Sequence, residues 1–163
     1  MKASIKANFS VADIKKIADR LRGNFDKKII ETLSIVGEKF VINARNNGDY
    51  SDHSGNLRSS VRFFILKDGK LVGAQNTFVV RPVRTKNGKL AKRQPVYLGD
   101  QILAEIAEKY PKGYVLLGIA GMEYAAYVES RNKDVITGSA ITAEDDLRKA
   151  LDQFREELSG KKR

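Results

Sequence analysis

The sequence predicts a single α+β domain over residues 1–163, in which a small antiparallel β-sheet packs against a long N-terminal helix and a C-terminal helix, and from which a basic β-hairpin projects. Apolar residues recur at helical spacing near both ends of the chain. A run of β-branched and aromatic residues lies between them, and two glycine-containing dipeptides typical of hairpin turns follow it. The length of 163 residues also agrees with one domain.

Two helices are predicted before the sheet. Ser10 and Asp13 have the spacing of a capping box, so a short amphipathic helix is expected to begin there and to end near Gly23. A second helix of about five turns is predicted over residues 26–44, because its apolar side chains share one face.

A sharp corner is predicted at residues 54–61, where the helical pattern gives way to a strand pattern. Gly55 can adopt the positive φ that a reversal needs, and Leu57 provides an apolar anchor. Arg58 is expected to reach outward. A structural turn is favoured here over a catalytic loop, because no nucleophile stands beside a base.

The first hairpin is predicted to turn at Asp68-Gly69. A strand over residues 61–66 precedes the turn and a weaker partner strand over residues 71–80 follows it, with a bulge near Gly73.

A second hairpin is predicted over residues 79–97, turning at Asn87-Gly88. A two-residue turn would place Arg84 opposite Ala91. The segment 81–93 contains no acidic residue, and its basic residues are Arg81, Arg84, Lys86, Lys89, Lys92 and Arg93. Because like charges face each other and neither side is apolar, this basic arm should gain order from a partner. A solvated loop without a role is the alternative.

The second half of the chain is predicted to alternate helix and strand. A helix is expected over residues 98–110, and the continuous apolar run 114–120 is typical of a central strand covered on both faces. One or two helical turns should follow within residues 122–129, and an edge strand at residues 135–137.

The C-terminal helix is predicted to begin at Thr142, because Thr142 and Asp145 repeat the capping-box spacing. It should continue to Leu158, and residues 159–163 should form a basic tail.

Composition limits the classes of function. The net charge of +10 points to an anionic partner, either nucleic acid or an acidic protein surface. The chain has no cysteine and one histidine, His53, in a polar loop, so we expect no metal and no cofactor. Phosphate-binding, nucleophile-elbow and zinc-protease motifs are missing from the sequence, and we expect no enzyme activity. No apolar run approaches the ~18 residues of a membrane span, so no membrane partner is expected.

Two separated motifs resemble a known family. Ser54-Gly55-Asn56-Leu57-Arg58-Ser59-Ser60 follows a long helix, and Tyr124-Ala125-Ala126-Tyr127-Val128-Glu129 comes much later. Together they are similar to the tail-completion proteins (head-to-tail joining, minor tail) of long-tailed bacteriophages and prophages. The resemblance covers roughly residues 26–158. Many members have Gly-Thr after the final Glu, where this chain has Ser130-Arg131. The basic arm is an addition to the family pattern.

The resemblance implies a non-catalytic virion protein, made in the bacterial host cytoplasm and located in the neck or upper tail. It implies a closed ring of roughly six or twelve copies. The implied partners are neighbouring neck, portal-adaptor and tail-tube proteins, with contact to DNA in the channel as a further option for the arm. The alternative function is a basic DNA-binding protein that uses residues 81–93 as a β-ribbon.

Four residues of the two motifs are candidates for an interface between subunits. Tyr124 and Tyr127 are expected to present two rings on nearly the same helical face, as interface anchors. The alternative is that both tyrosines cover the core of the monomer. Arg58 and Glu129 are expected to form an ion pair, within one subunit or between two.

Overall fold

The computed structural model describes residues 10–75 and 78–158, and the predicted α+β architecture is confirmed. The predicted tail at residues 159–163 lies outside the described residues. In chain order the elements are α1 (Val11–Asn47), α2 (Asn56–Ser60), β1 (Val61–Lys67), β2 (Lys70–Ala74), α3 (Gly99–Lys109), β3 (Tyr114–Ala120), α4 (Ala125–Glu129) and α5 (Thr137–Leu158).

α1 is one continuous helix of 37 residues, so the predicted break near Gly23 is wrong. The capping box at its start is confirmed: the Asp13 amide donates to the Ser10 hydroxyl, and the Ser10 amide donates to the Asp13 carboxylate. Glycine within a helix costs about 1 kcal/mol relative to alanine, which does not end a helix that continues well on both sides. The buried residues of α1 all lie between Leu33 and Ala44, whereas every residue from 11 to 25 is exposed.

The sheet has three antiparallel strands in the order β2-β1-β3. β1 is central, and its first six residues are all buried. β3, predicted to be central, is an edge strand, because an apolar run indicates burial but not position in a sheet. The predicted turn at Asp68-Gly69 is confirmed, and so is the bulge, since Val72 of β2 has no partner on β1. β2 ends at Ala74, earlier than predicted.

The main core lies between α1, the sheet and α5, and two glycines allow its close packing. A β-carbon on Gly37 would stand 2.5 Å from the Phe63 ring, and one on Gly118 would stand 2.5 Å from the Phe40 ring. Both rings are buried and cannot move aside cheaply.

α5 begins at Thr137, so the predicted start at Thr142 and the predicted strand at residues 135–137 are both wrong. Acidic side chains from outside the helix supply acceptors to its first amides, and this allows an earlier start than the local capping pattern indicates.

Candidate interaction surface

The structure brings the two motifs, residues 54–60 and 124–129, into one hydrophobic cluster. Leu57 of α2 is 2% exposed and packs in this cluster with Met122, Ala125 and Val135. Tyr124 lies at its edge. Gly55 has a φ of 73°, the left-handed conformation predicted for the corner. The corner and the start of α4 are therefore neighbours in space, although about seventy positions separate them in the sequence.

Arg58 turns inward, so its predicted outward direction is wrong. Its guanidinium donates to the backbone carbonyl oxygens of Arg45, Gly48 at 2.8 Å and Tyr50 at 3.3 Å. It also lies over the Tyr50 ring, 4.8 Å from the centroid. The side chain closes the end of α1, where carbonyl groups lack helical donors.

Two further arginines that the sequence analysis missed lie near the corner. Arg45 donates to the carbonyl oxygens of Ser59 at 3.2 Å and Val61 at 2.9 Å, and burial together with nearby Arg62 lowers its pKa. Arg62 is 8% exposed and donates to Gln75 O at 2.8 Å. A basic residue inside the apolar run of β1 was the available sequence signal for Arg62.

Glu129 does not pair with Arg58 within one chain, so that form of the predicted ion pair is wrong, while a pair between two subunits stays a prediction. Its carboxylate accepts hydrogen bonds from the amides of Val135 at 2.9 Å, Ile136 at 3.4 Å and Thr137 at 3.2 Å, and from the Thr137 hydroxyl. A negative charge at these amides is favourable, because a helix N-terminus carries partial positive charge. Glu129 thus connects α4 to the start of α5.

The two tyrosines have different surroundings. Tyr124 is half-buried against the cluster, and this burial raises the pKa of its hydroxyl. Tyr127 is 60% exposed, and its ring lies 5.0 Å from the Arg131 guanidinium. Of these two rings, that of Tyr127 is the more open to solvent.

The basic arm reverses direction at Asn87-Gly88 as predicted, but it is not a two-stranded ribbon. Its single bridge pairs Arg84 with Leu90, one residue away from the predicted register. The loop has three residues instead of two: the Thr85 amide bonds Lys89 O at 2.7 Å, and Gly88 has a φ of 76°.

Both ends of the arm are fixed to the body. Asn56, fully buried in α2, exchanges two hydrogen bonds of 2.8 Å with the backbone of Arg81. At the other end the Glu123 amide donates to Val96 O at 2.9 Å, and Leu98 bonds Gly121. The sequence places Asn56 in the predicted corner at residues 54–61, but nothing local shows that a distant segment will pair with it.

All six basic side chains of the arm are exposed. Arg93 forms an ion pair with Glu123 at 2.9 Å. The other five have no carboxylate within ion-pair distance among residues 10–75 and 78–158. The arm therefore displays uncompensated positive charge on a support that is anchored at both ends.

The described part of the chain shows no group of three or more histidine, cysteine or carboxylate residues arranged to hold a metal ion. His53 is exposed. Within the same residues, no helix combines the length and the hydrophobicity needed to cross a bilayer. The chain matches no protein-family model, no curated protein and no solved structure with which it was compared.

Proposed function

We propose that this chain is a structural virion protein of a tailed bacteriophage or prophage, a ring-forming subunit of the neck or tail-completion region that joins head and tail. The observation that carries the proposal is the basic arm, an exposed and uncompensated positive surface held at both ends by the body. Such a surface suits an anionic partner. The two family-like motifs, which pack against each other beside the arm, support the same function.

In this proposal the arm contacts an acidic surface on a neighbouring ring or tail-tube protein, or the DNA that passes through the channel. Arg58 and Glu129 contribute by fixing the backbone of the corner and of α5, and Tyr127 contributes an exposed ring. Arg93 is the arm residue least available to a partner, because Glu123 already pairs with it.

The alternative of a free DNA-binding protein has less support. Ribbon readers of DNA place two paired strands in a groove, whereas the arm has one bridge pair. Its residues 81–94 also contain no aromatic side chain, which single-strand binders use for base stacking.

A gene disruption in the phage or prophage that encodes the chain tests the proposal. We expect filled heads and complete tails that remain separate in electron micrographs, and joined particles when the intact gene is supplied in trans. The protein should also be found in purified virions by mass spectrometry. Normal infectious particles without the protein would overturn the proposal.

A further inference from the structure

The first turns of α1 carry an apolar stripe that the rest of the described chain leaves uncovered. Ile14, Ile17 and Leu21 recur every three or four residues and lie on one helical face. These side chains are 52%, 60% and 64% exposed. We call these three residues the stripe. An ordered row of exposed apolar side chains of this kind marks an interaction surface.

Basic residues surround the stripe. Lys15, Lys16 and Arg20 are exposed and form no ion pair within the described residues. Asp13, one of the two acidic residues in this stretch, is occupied by the capping box with Ser10. This end of the helix therefore presents apolar surface flanked by positive charge.

A groove lined by residues of α3, β3 and α4 is the second apolar surface. It has a volume of about 350 Å³ and lies beside the free edge of β3. Its lining includes Ile102 and Ile106 of α3, Leu117 of β3 and Ala126 of α4. The only fully buried residue of α3 is Gly99, so the apolar side chains of this helix remain partly open to solvent.

Acidic residues accompany the groove. Asp100, Glu105 and Glu108 of α3 are exposed, and none of them forms an ion pair with another described residue. Glu105 lies less than one turn from both Ile102 and Ile106, so its charge stands next to the groove.

We propose that the stripe of one chain docks in the α3 groove of a second copy of this chain. Apolar side chains meet apolar side chains, and the lysines and arginine beside the stripe meet the free acids of α3. This inference rests on the ring-forming function proposed above and gives that ring its contact. The stripe and the groove are different surfaces, so each copy contributes its stripe to one neighbour and its groove to the other. Successive copies therefore join through a heterologous interface.

The size of this contact limits its strength. The stripe runs from Ile14 to Leu21, which is about two helical turns or roughly 10 Å. Three side chains over this length bury less surface than the ~800 Å² per partner that is usual in stable interfaces. Each contact is weak alone, and closure of the ring stabilises all of them together.

Sedimentation velocity tests the contact with two variants, in each of which one of the two surfaces is blocked. Ile17→Lys disables the stripe and leaves the groove intact, whereas Ala126→Arg fills the groove and leaves the stripe intact. Both positions are exposed, so the fold should survive, which circular dichroism checks. The matched controls are Ile42→Lys, at an α1 position 57% exposed and outside the stripe, and Ala104→Arg, on α3 but outside the groove lining.

We expect the unmodified chain and both controls to self-associate as concentration rises toward millimolar, more strongly at low salt. The self-association of each blocked variant alone should be weaker by a factor of about ten or more. An equimolar mixture of the two should form a dimer that grows no further, because one intact stripe meets one intact groove.

Three results would overturn the inference. Self-association of Ala126→Arg alone would show stripe-to-stripe pairing, and a mixture of blocked variants that stays monomeric would show that stripe and groove do not meet. An unmodified chain that remains monomeric throughout would also reject the contact. The gene-disruption test does not depend on any of these three results. The proposed function in joining the phage head to its tail can therefore be rejected or supported separately from the subunit contact.

Discussion

Arg58 closes the C-terminal end of α1 within its own chain. Carbonyl groups in the last turn of a helix lack intrahelical donors, and one guanidinium serves Arg45 in that turn together with Gly48 and Tyr50, which follow α1. Its planar group of five N–H donors suits this arrangement, which an ammonium group cannot reproduce.

Replacement of Arg58 should therefore affect folding before assembly. We expect Arg58→Ala to lower the free energy of unfolding by about 2–3 kcal/mol, since charged hydrogen bonds are lost and partly buried carbonyls remain unpaired. Urea denaturation measures this. Arg58→Lys should recover less than half of the loss. Unchanged stability together with altered self-association would show instead that the side chain acts at an interface.

The sequence predicted which residues at the corner are special better than it predicted what they contact. Leu57 and Gly55 follow from local requirements, an apolar anchor and a positive φ, and both predictions are confirmed. The partners of Arg58 and Glu129 come from other parts of the chain, and the spacing of residues within a motif does not contain them.

The start of α5 depends on a side chain that belongs to α4. Three amides at residues 135–137 bond to the Glu129 carboxylate, and the Gly138 amide bonds to Asp134 at 3.0 Å. This cap explains why the helix begins before the local signal at Thr142, and why residues 135–137 are not a strand.

We expect Glu129→Ala to lower the free energy of unfolding by about 1–2 kcal/mol, the usual effect of losing an N-cap acceptor. Amide hydrogen exchange at residues 135–140 should become faster than in the rest of α5. The control is Glu144→Ala, which removes an exposed ion pair with Arg148 and should cost less than about 0.5 kcal/mol. Equal effects of both variants would contradict the capping role.

Asp26 joins α1 to two strands of the sheet, because its carboxylate accepts from the Lys67 ammonium and from the Tyr114 hydroxyl. The bond from Lys67, followed by that from Tyr114, holds the pKa of Asp26 below its ordinary value of 3.8. A carboxyl with a lowered pKa stabilises the fold above its unfolded pKa, and this contribution disappears as the pH falls through the folded value.

The stability of the unmodified chain should therefore fall as the pH is lowered below about 4. Asp26→Asn should show a flatter dependence in this range, because it has no proton to bind there. Thermal denaturation between neutral and strongly acidic pH measures both slopes. The control Asp68→Asn also removes a carboxylate, one that accepts from the Gly113 amide and has no ion-pair partner within the described residues. An unchanged slope in Asp26→Asn would contradict the role of this carboxylate.

The helices and strands themselves show the same limit of sequence reasoning. Hydrophobic periodicity predicted α3 and β1 almost to the residue. It misplaced β3 within the sheet and divided α1 at Gly23, because strand order and helix continuity depend on packing between distant segments. The register of the arm failed for a smaller reason, one extra residue in its loop.

At the level of the whole molecule, the charge of the arm should matter for assembly and not for folding. Five of its six basic side chains have no acidic partner in the described chain, so their removal leaves no charge unpaired. A variant with four substitutions tests this, because it changes basic residues near the turn of the arm to glutamine. The substitutions are Arg84→Gln, Lys86→Gln, Lys89→Gln and Lys92→Gln.

We expect the free energy of unfolding of this variant to remain within about 0.5 kcal/mol of the original, as for most exposed substitutions. In the phage it should fail to restore joined particles. The matched variant loses the same charge elsewhere and should restore them. It changes four exposed lysines to glutamine, namely Lys27, Lys70, Lys109 and Lys112. If both variants restored joining equally, the arm would have no specific role, and only the total charge of the chain would matter.

The same pair of variants separates the two anionic partners of the arm. Non-specific binding to duplex DNA weakens steeply with salt, and each lost phosphate contact reduces the slope of log K against log salt by about 0.9. If DNA is the partner, the arm variant should reduce this slope by several units in filter-binding experiments, and the matched variant should not. If the partner is an acidic protein ring, both variants should bind DNA weakly and alike, while only the arm variant fails in joining.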